Sequence, residues 1–258
     1  MSETKFGIVL SGGGIRGLAH IGVIKVLEEE GIYPQYIAGT SAGAIVGALY
    51  AAGYGAEDVL KFFKETSLFS VNKYAYGKPG MLDTDKYYQA FLPYFPEDSF
   101  DALDKKLYVT ATDILVGKTR FFHEGPLIKS ILASAAFPIV LSPVSIGETI
   151  YADGGITNNF PVEPLLIHCD KVIGVYANPL KVIKAEELSS AQKVMSRAFK
   201  IGSANMSIQK FSLCDLVIAP QKLNEFNTFS MNHLEDAFEI GYKKAKEHLD
   251  DIRRLKET

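Results

Sequence analysis

Short uninterrupted apolar runs alternate along this chain with longer stretches whose apolar residues recur every three or four positions. Phe6-Gly7-Ile8-Val9-Leu10 is the first run. The stretch behind it, Leu18 to Glu30, gathers its apolar residues on one helical face and stops at Gly31. Continued to the end of the chain, the pattern predicts strands over 6–11, 36–39, 106–114, 119–122, 171–177 and 215–219. It predicts helices over 17–30, 42–52, 56–65, 84–94, 126–135, 188–210 and 231–256. Buried strands alternating with amphipathic helices indicate an α/β fold, with a mainly parallel central sheet and helices on both faces. No repeat, low-complexity run or linker divides the chain, so one unit over 1–258 is expected.

The first two predicted strands end in glycine-framed turns, the place where open α/β sheets hold ligands. Gly39-Thr40-Ser41-Ala42-Gly43 fits the G-x-S-x-G pattern between a short strand and an apolar helix. On such an elbow the serine backbone is strained, the hydroxyl is exposed, and the positive helix end favours an oxyanion nearby. The same letters also suit a serine that only caps the helix, with glycines chosen for packing. The earlier turn, Ser11-Gly12-Gly13-Gly14-Ile15-Arg16-Gly17, can aim several N–H groups at one point, and Arg16 adds a fixed positive charge. Gly12, Gly14 and Gly17 also satisfy the dinucleotide fingerprint. That site needs an acidic residue about 20 positions further on, where this chain has Ile37, so no nucleotide cofactor is expected.

A nucleophilic serine needs a base. His20 and His248 fall in amphipathic helical stretches, and His168 follows Pro164-Leu165-Leu166-Ile167 at an apparent helix end. His123 and His233, in less regular sequence, remain open as third members of a histidine triad. Tyr151-Ala152-Asp153-Gly154-Gly155 offers another base, a carboxylate on a tight glycine turn after a short apolar strand. Asp-Gly is equally a hairpin signal, so this turn alone has two readings.

The three turns in this order resemble those of the patatin-like phospholipase family. Gly12-Gly13-Gly14-Ile15-Arg16-Gly17 is similar to its oxyanion-hole motif, Gly39-Thr40-Ser41-Ala42-Gly43 to its nucleophile elbow, and Asp153-Gly154-Gly155 to its dyad aspartate. Leu18-Ala19-His20-Ile21-Gly22-Val23, Ala133-Ser134-Ala135-Ala136-Phe137-Pro138 and Asn158-Asn159-Phe160-Pro161-Val162 carry the likeness further. It covers about 5–176, leaving a helical part over 188–256 with little family character. The resemblance implies a three-layer α/β/α architecture and a Ser41–Asp153 dyad that hydrolyses acyl esters of lipids without metal or organic cofactor. It implies an oxyanion held by Gly12, Gly13, Gly14 and Ile15 with Arg16 nearby, supported by Gly39, Gly43, Gly154 and Gly155. An acyltransferase using the same acyl-enzyme, or a non-catalytic lipid-binding protein, would share these letters.

The formal charge of −3 argues against nucleic acid as a partner and leaves contact with a membrane surface open. Cys169 and Cys214 show no disulfide or metal spacing and read as reduced thiols. Met1 to Lys5 is polar and the next apolar run breaks at Gly12, so no signal peptide is expected, and the helix after Ser41 is too short to span a bilayer. These features predict a cytoplasmic protein that meets membranes peripherally. The aromatic stretch 67–82, with Lys73 and Lys78, is either a lid or interfacial loop or an ordinary loop packed on the core. Residues 221–232, with Phe226 and Phe229, are a weaker second rim.

Overall fold

The computed structural model describes residues 4–66, 85–138, 140–226 and 234–257. Its centre is an eight-stranded sheet. The strands are β1 Phe6–Leu10, β2 Tyr36–Thr40, β3 Lys106–Asp113, β4 Lys118–Phe122, β5 Val144–Ile146, β6 Thr149–Asp153, β7 Lys171–Val175 and β8 Leu216–Ile218. Strands β3, β2, β1, β7 and β8 run parallel side by side, as buried apolar strands should. β4, β5 and β6 join antiparallel at the β3 side.

Successive residues of the parallel strands face opposite layers. Ile8 and Leu10 of β1, Ile37 of β2 and Ile173 and Val175 of β7 point into the larger core. That core is completed by α1 Ala19–Glu29, α2 Ala42–Ala51, α3 Ala56–Thr66, α4 Asp85–Phe91 and α5 Leu127–Ala135, together with the C-terminal α7 Leu234–Lys246 and α8 Leu249–Glu257. Helix α2 is buried on every side, which its apolar sequence allows. Gly22 of α1 and Gly241 of α7 let those helices touch backbone to backbone: a Cβ on Gly241 would lie 2.1 Å from the Ala19 carbonyl oxygen. Val9, Ala38 and Val172 face the smaller layer, filled by Phe160, Val162, Leu165 and Tyr176. There α6 Ala191–Ile208, whose Ser203, Ala204 and Ser207 are buried, brings Ser207 beside Tyr176.

Three expectations need correction. The C-terminal helix is two helices, because the chain turns at Glu247 and His248 and brings α8 back to the end of α1, where Arg253 pairs with Glu30 at 2.8 Å. Pro164 to His168 is a run of turns, and His168 stacks flat on Tyr36. The Asp-Gly hairpin reading fails as well. The hairpin here is β5–β6, turning at Gly147 with φ 61°, whereas Asp153 ends β6 and leads into a short 3-10 turn.

One pairing detail positions the chemistry. Thr110 of β3 pairs with Thr40 of β2, and the next residue, Ala111, pairs with Asp153 of β6. Ala111 also pairs with Arg120 of β4 on its other edge. β6 therefore occupies the edge that β2 vacates where the chain turns into Ser41, and Asp153 arrives beside that turn. Leu10 and Gly39 pair across β1 and β2, so the two N-terminal glycine turns emerge side by side as well.

Candidate active site

Ser41 has φ 54° and ψ −122°, a conformation that costs a non-glycine residue about 1–3 kcal/mol. Its neighbours enforce it. A Cβ on Gly43 would lie 2.1 Å from the Leu10 carbonyl oxygen, and one on Gly39 would lie 2.5 Å from the Gly43 carbonyl oxygen. The Ser41 N–H donates to Ser134 Oγ at 2.8 Å, and Thr40 Oγ1 donates to the Asn158 carbonyl at 2.9 Å. Although Ser41 stands at the N-cap of α2, its side chain makes no capping bond. It lies instead close enough to the Asp153 carboxyl to lower that group's pKa, and the helix-cap reading of this serine is set aside.

Asp153 is 3 % exposed. Burial away from water pushes its carboxyl up to about 6, against the opposing pull of hydrogen bonds from the Ser41 side chain and the Gly155 N–H. The Gly155 N–H reaches Oδ1 at 2.7 Å. Thr112 Oγ1 donates to the Asp153 carbonyl at 2.9 Å and the Asp153 N–H to the Ala136 carbonyl at 3.0 Å, so the backbone is fixed on both sides. Gly154 is required by close approach, since a Cβ there would lie 2.2 Å from the Thr110 carbonyl oxygen.

The glycine loop divides its donors. Gly12 N–H is committed to the Asn159 carbonyl at 3.3 Å. The N–H groups of Gly13, Gly14 and Ile15, opening the short 3-10 helix Gly14–Leu18, have no acceptor among the described residues. Gly14 has φ 58°, the left-handed region that favours glycine. Arg16 does not stand at this nest as expected. It is buried, its Nε and Nη2 donate to the Phe226 carbonyl at 3.1 and 2.6 Å, and its Nη1 donates to Asn178 Oδ1 at 3.0 Å. The guanidinium ties the glycine loop to the chain near 226 and lines a neighbouring cavity.

Residues 8–166, a span containing all three glycine turns, match the family model described as patatin-like phospholipase. The chain belongs to this family. An NTE family protein of Mycobacterium tuberculosis is 30 % identical over 221 residues, covering 81 % of this chain and 61 % of that protein. The chain thus spans about three fifths of the length of this curated relative. A patatin-like phospholipase domain-containing protein of Caenorhabditis elegans is 25 % identical over 292 residues, covering 98 % of this chain and 21 % of that protein. Among solved structures, VipD from Legionella pneumophila has a similar fold, with a TM-score of 0.58 at 14 % identity over 96 % of this chain and 67 % of that one.

The patatin-like elbow, glycine loop and Asp153 line one cavity of about 530 Å³, within the usual range of small-molecule sites. Its walls are apolar: Ile45, Phe63, Phe91, Leu132, Leu141 and Phe199 among others. Among the described residues no histidine lines it. His20 is fully buried elsewhere, its Nε2 donates to the Ser11 carbonyl at 2.8 Å, and burial lowers its pKa to about 4, so it is neutral. His123 packs on Tyr108 and His248 pairs with Asp251. His233, Phe229 and the stretch 67–82 lie outside the described residues. Ser134, Asn178 and Lys200 are site residues without an assigned role in the sequence reading. Ser134 had a signal, since it stands in the Ala133–Pro138 stretch shared with the family. Among the described residues no helix is long and apolar enough to cross a membrane.

Proposed function

We propose that this protein is a serine-dependent lipid acyl hydrolase that cleaves carboxylic esters through a Ser41–Asp153 dyad. One observation carries the reading: a buried carboxylate, its pKa raised by burial to about 6, lies against the side chain of a backbone-strained serine. An ordinary carboxylate is too weak a base for an alcohol, and raising its pKa towards the working pH improves it. The apolar cavity suits an acyl chain.

In this reading Ser41 Oγ attacks the ester carbonyl carbon while its proton passes to Asp153. The carbonyl oxygen takes up the negative charge and is met by the N–H groups of Gly13, Gly14 and Ile15. Each such donor is worth about 3 kcal/mol of barrier in comparable sites. Collapse expels the alcohol, which takes the proton from Asp153 and leaves an acyl ester on Ser41. Water, deprotonated by Asp153, then attacks that ester and releases the fatty acid and the free serine. Gly12 drops out as a donor because its N–H is already used, and Arg16 acts by holding the loop.

The test is release of free acid from octanoyl glycerol esters by wild type, Ser41→Ala and Asp153→Asn. Wild type is expected to turn over, Ser41→Ala to fall to background, and Asp153→Asn to lose about 10²–10⁴-fold in kcat. Full turnover by Ser41→Ala would end the proposal.

A further inference from the structure

The peptide Asn158-Asn159 follows the Asp153 turn, and each of the three glycine turns is tied to it. Thr40, the residue before Ser41, donates its Oγ1 hydrogen to the Asn158 carbonyl at 2.9 Å. The Asn158 N–H donates to the carbonyl of Gly154, the residue after Asp153, at 2.8 Å, and the Gly12 N–H donates to the Asn159 carbonyl at 3.3 Å. The side chain of Asn158 points away from these bonds into its own buried ring. Asn158 is 4 % exposed, so its amide needs partners. Its Nδ2 donates to Glu163 Oε2 at 3.0 Å, its Oδ1 accepts from Lys210 Nζ at 2.7 Å, and Lys210 pairs with Glu163 Oε1 at 2.5 Å. Burial alone would raise the Glu163 pKa, but the hydrogen bonds from Lys210 and Asn158 outweigh it and hold the group below the usual carboxylate range. An isolated surface ion pair contributes little; this one completes the hydrogen bonding of a buried amide. Lys210 lies just past the end of α6, whose Ser196, Phe199, Lys200 and Ser203 line the catalytic cavity. The described lining of that cavity includes neither Lys210 nor Glu163.

We propose that Lys210 and Glu163 are positioning residues: by clamping Asn158 they hold the elbow, the base turn and the glycine loop in register from outside the cavity. The catalytic half of this proposal rests on the reading of Ser41 and Asp153 as a dyad. Without Lys210, Asn158 Oδ1 is left buried and loses its charged donor, and the 158–159 peptide relaxes to find another. Thr40, Gly154 and Gly12 follow it, because each is bonded to that peptide. Ser41, Asp153 and the nest of N–H groups then lose their mutual alignment, to which rate is sensitive at well below 1 Å. The apolar walls that meet the acyl chain are untouched, so the loss falls on kcat rather than KM.

The test compares wild type, Lys210→Met, Lys210→Arg and Glu163→Gln by amide hydrogen exchange and by release of acid from octanoyl glycerol esters. In Lys210→Met the Gly12 and Asn158 amides should exchange about tenfold faster, the scale of one lost hydrogen bond to a charged group, while amides of the central strands β1 and β7 keep their wild-type rates. Its kcat should fall about tenfold with KM changed by less than about twofold. Lys210→Arg keeps donors for both partners and should recover most of both losses. Lys210→Met combined with Glu163→Gln should cost less than the product of the separate fold-losses, because both act through Asn158. Faster exchange throughout the sheet would mark a merely structural pair and overturn the proposal. Unchanged exchange at Gly12 and Asn158, or unchanged kcat in Lys210→Met, would overturn it too. An inactive wild type would end the hydrolase reading alone, since the exchange rates still decide whether the pair holds the three turns.

Discussion

Asp153→Asn should stabilise the protein more at pH 8 than at pH 4. In the folded protein the carboxyl keeps its proton up to about pH 6, against 3.8 for an unperturbed aspartate. Between those values the native state binds more protons than the unfolded chain, so stability falls as pH rises through the window. Above pH 6 the loss is complete. At about 1.4 kcal/mol for each tenfold change in proton affinity, the charged Asp153 destabilises the neutral-pH protein by about 3 kcal/mol. Asparagine has nearly the same shape and no charge. Every other titrating group is common to the two proteins and cancels. Because the unfolded aspartate is already more than half ionised at pH 4, the stability difference between Asp153→Asn and wild type should be about 2.4 kcal/mol larger at pH 8 than at pH 4. Denaturant unfolding of both proteins at the two pH values measures it, provided the slopes agree. A difference independent of pH would refute the claim that burial holds this carboxyl partly protonated.

The same value sets the activity profile: with Asp153 as base, kcat/KM for a neutral ester should rise with pH through about 6 and level off above 7. A flat profile from pH 5 to 8 would remove Asp153 as the titrating base. Ser134→Ala removes the acceptor of the Ser41 N–H and should cost about 1–3 kcal/mol in unfolding free energy, with kcat lowered because the elbow loses its anchor. Gly43→Ala puts a methyl 2.1 Å from the Leu10 carbonyl oxygen. It should cost about 3 kcal/mol or more, read as a lower denaturation midpoint, or prevent folding. Arg16→Met should loosen the glycine loop from Phe226, lowering kcat for ester hydrolysis while leaving the fold intact by circular dichroism.

What the sequence revealed and what it hid have physical reasons. Strands β1, β2 and β7 sit in the middle of a parallel sheet, so their apolar runs are unbroken and easily read. The three glycine turns are legible because close approach excludes a side chain at Gly12, Gly39, Gly43 and Gly154. β5 is three residues long and pairs only with β6, too little pattern to register. The break between α7 and α8 was hidden because apolar residues continue at helical spacing through Ala245, Leu249 and Ile252. Arg16 was misplaced because a long side chain next to a glycine nest can turn either way. Its direction is set by Phe226, a residue 210 positions away. The family likeness of 133–138 marks Ser134, but its role as the anchor of Ser41 depends on a contact across 93 positions.

The most direct test of the account is labelling by a fluorophosphonate, followed by peptide mass spectrometry, on wild type, Ser41→Ala and Asp153→Asn. A single adduct on the peptide containing Ser41, absent from Ser41→Ala and formed far more slowly by Asp153→Asn, is the expected result. An adduct on another residue, or Ser41 labelled equally fast without the Asp153 carboxylate, would contradict the dyad.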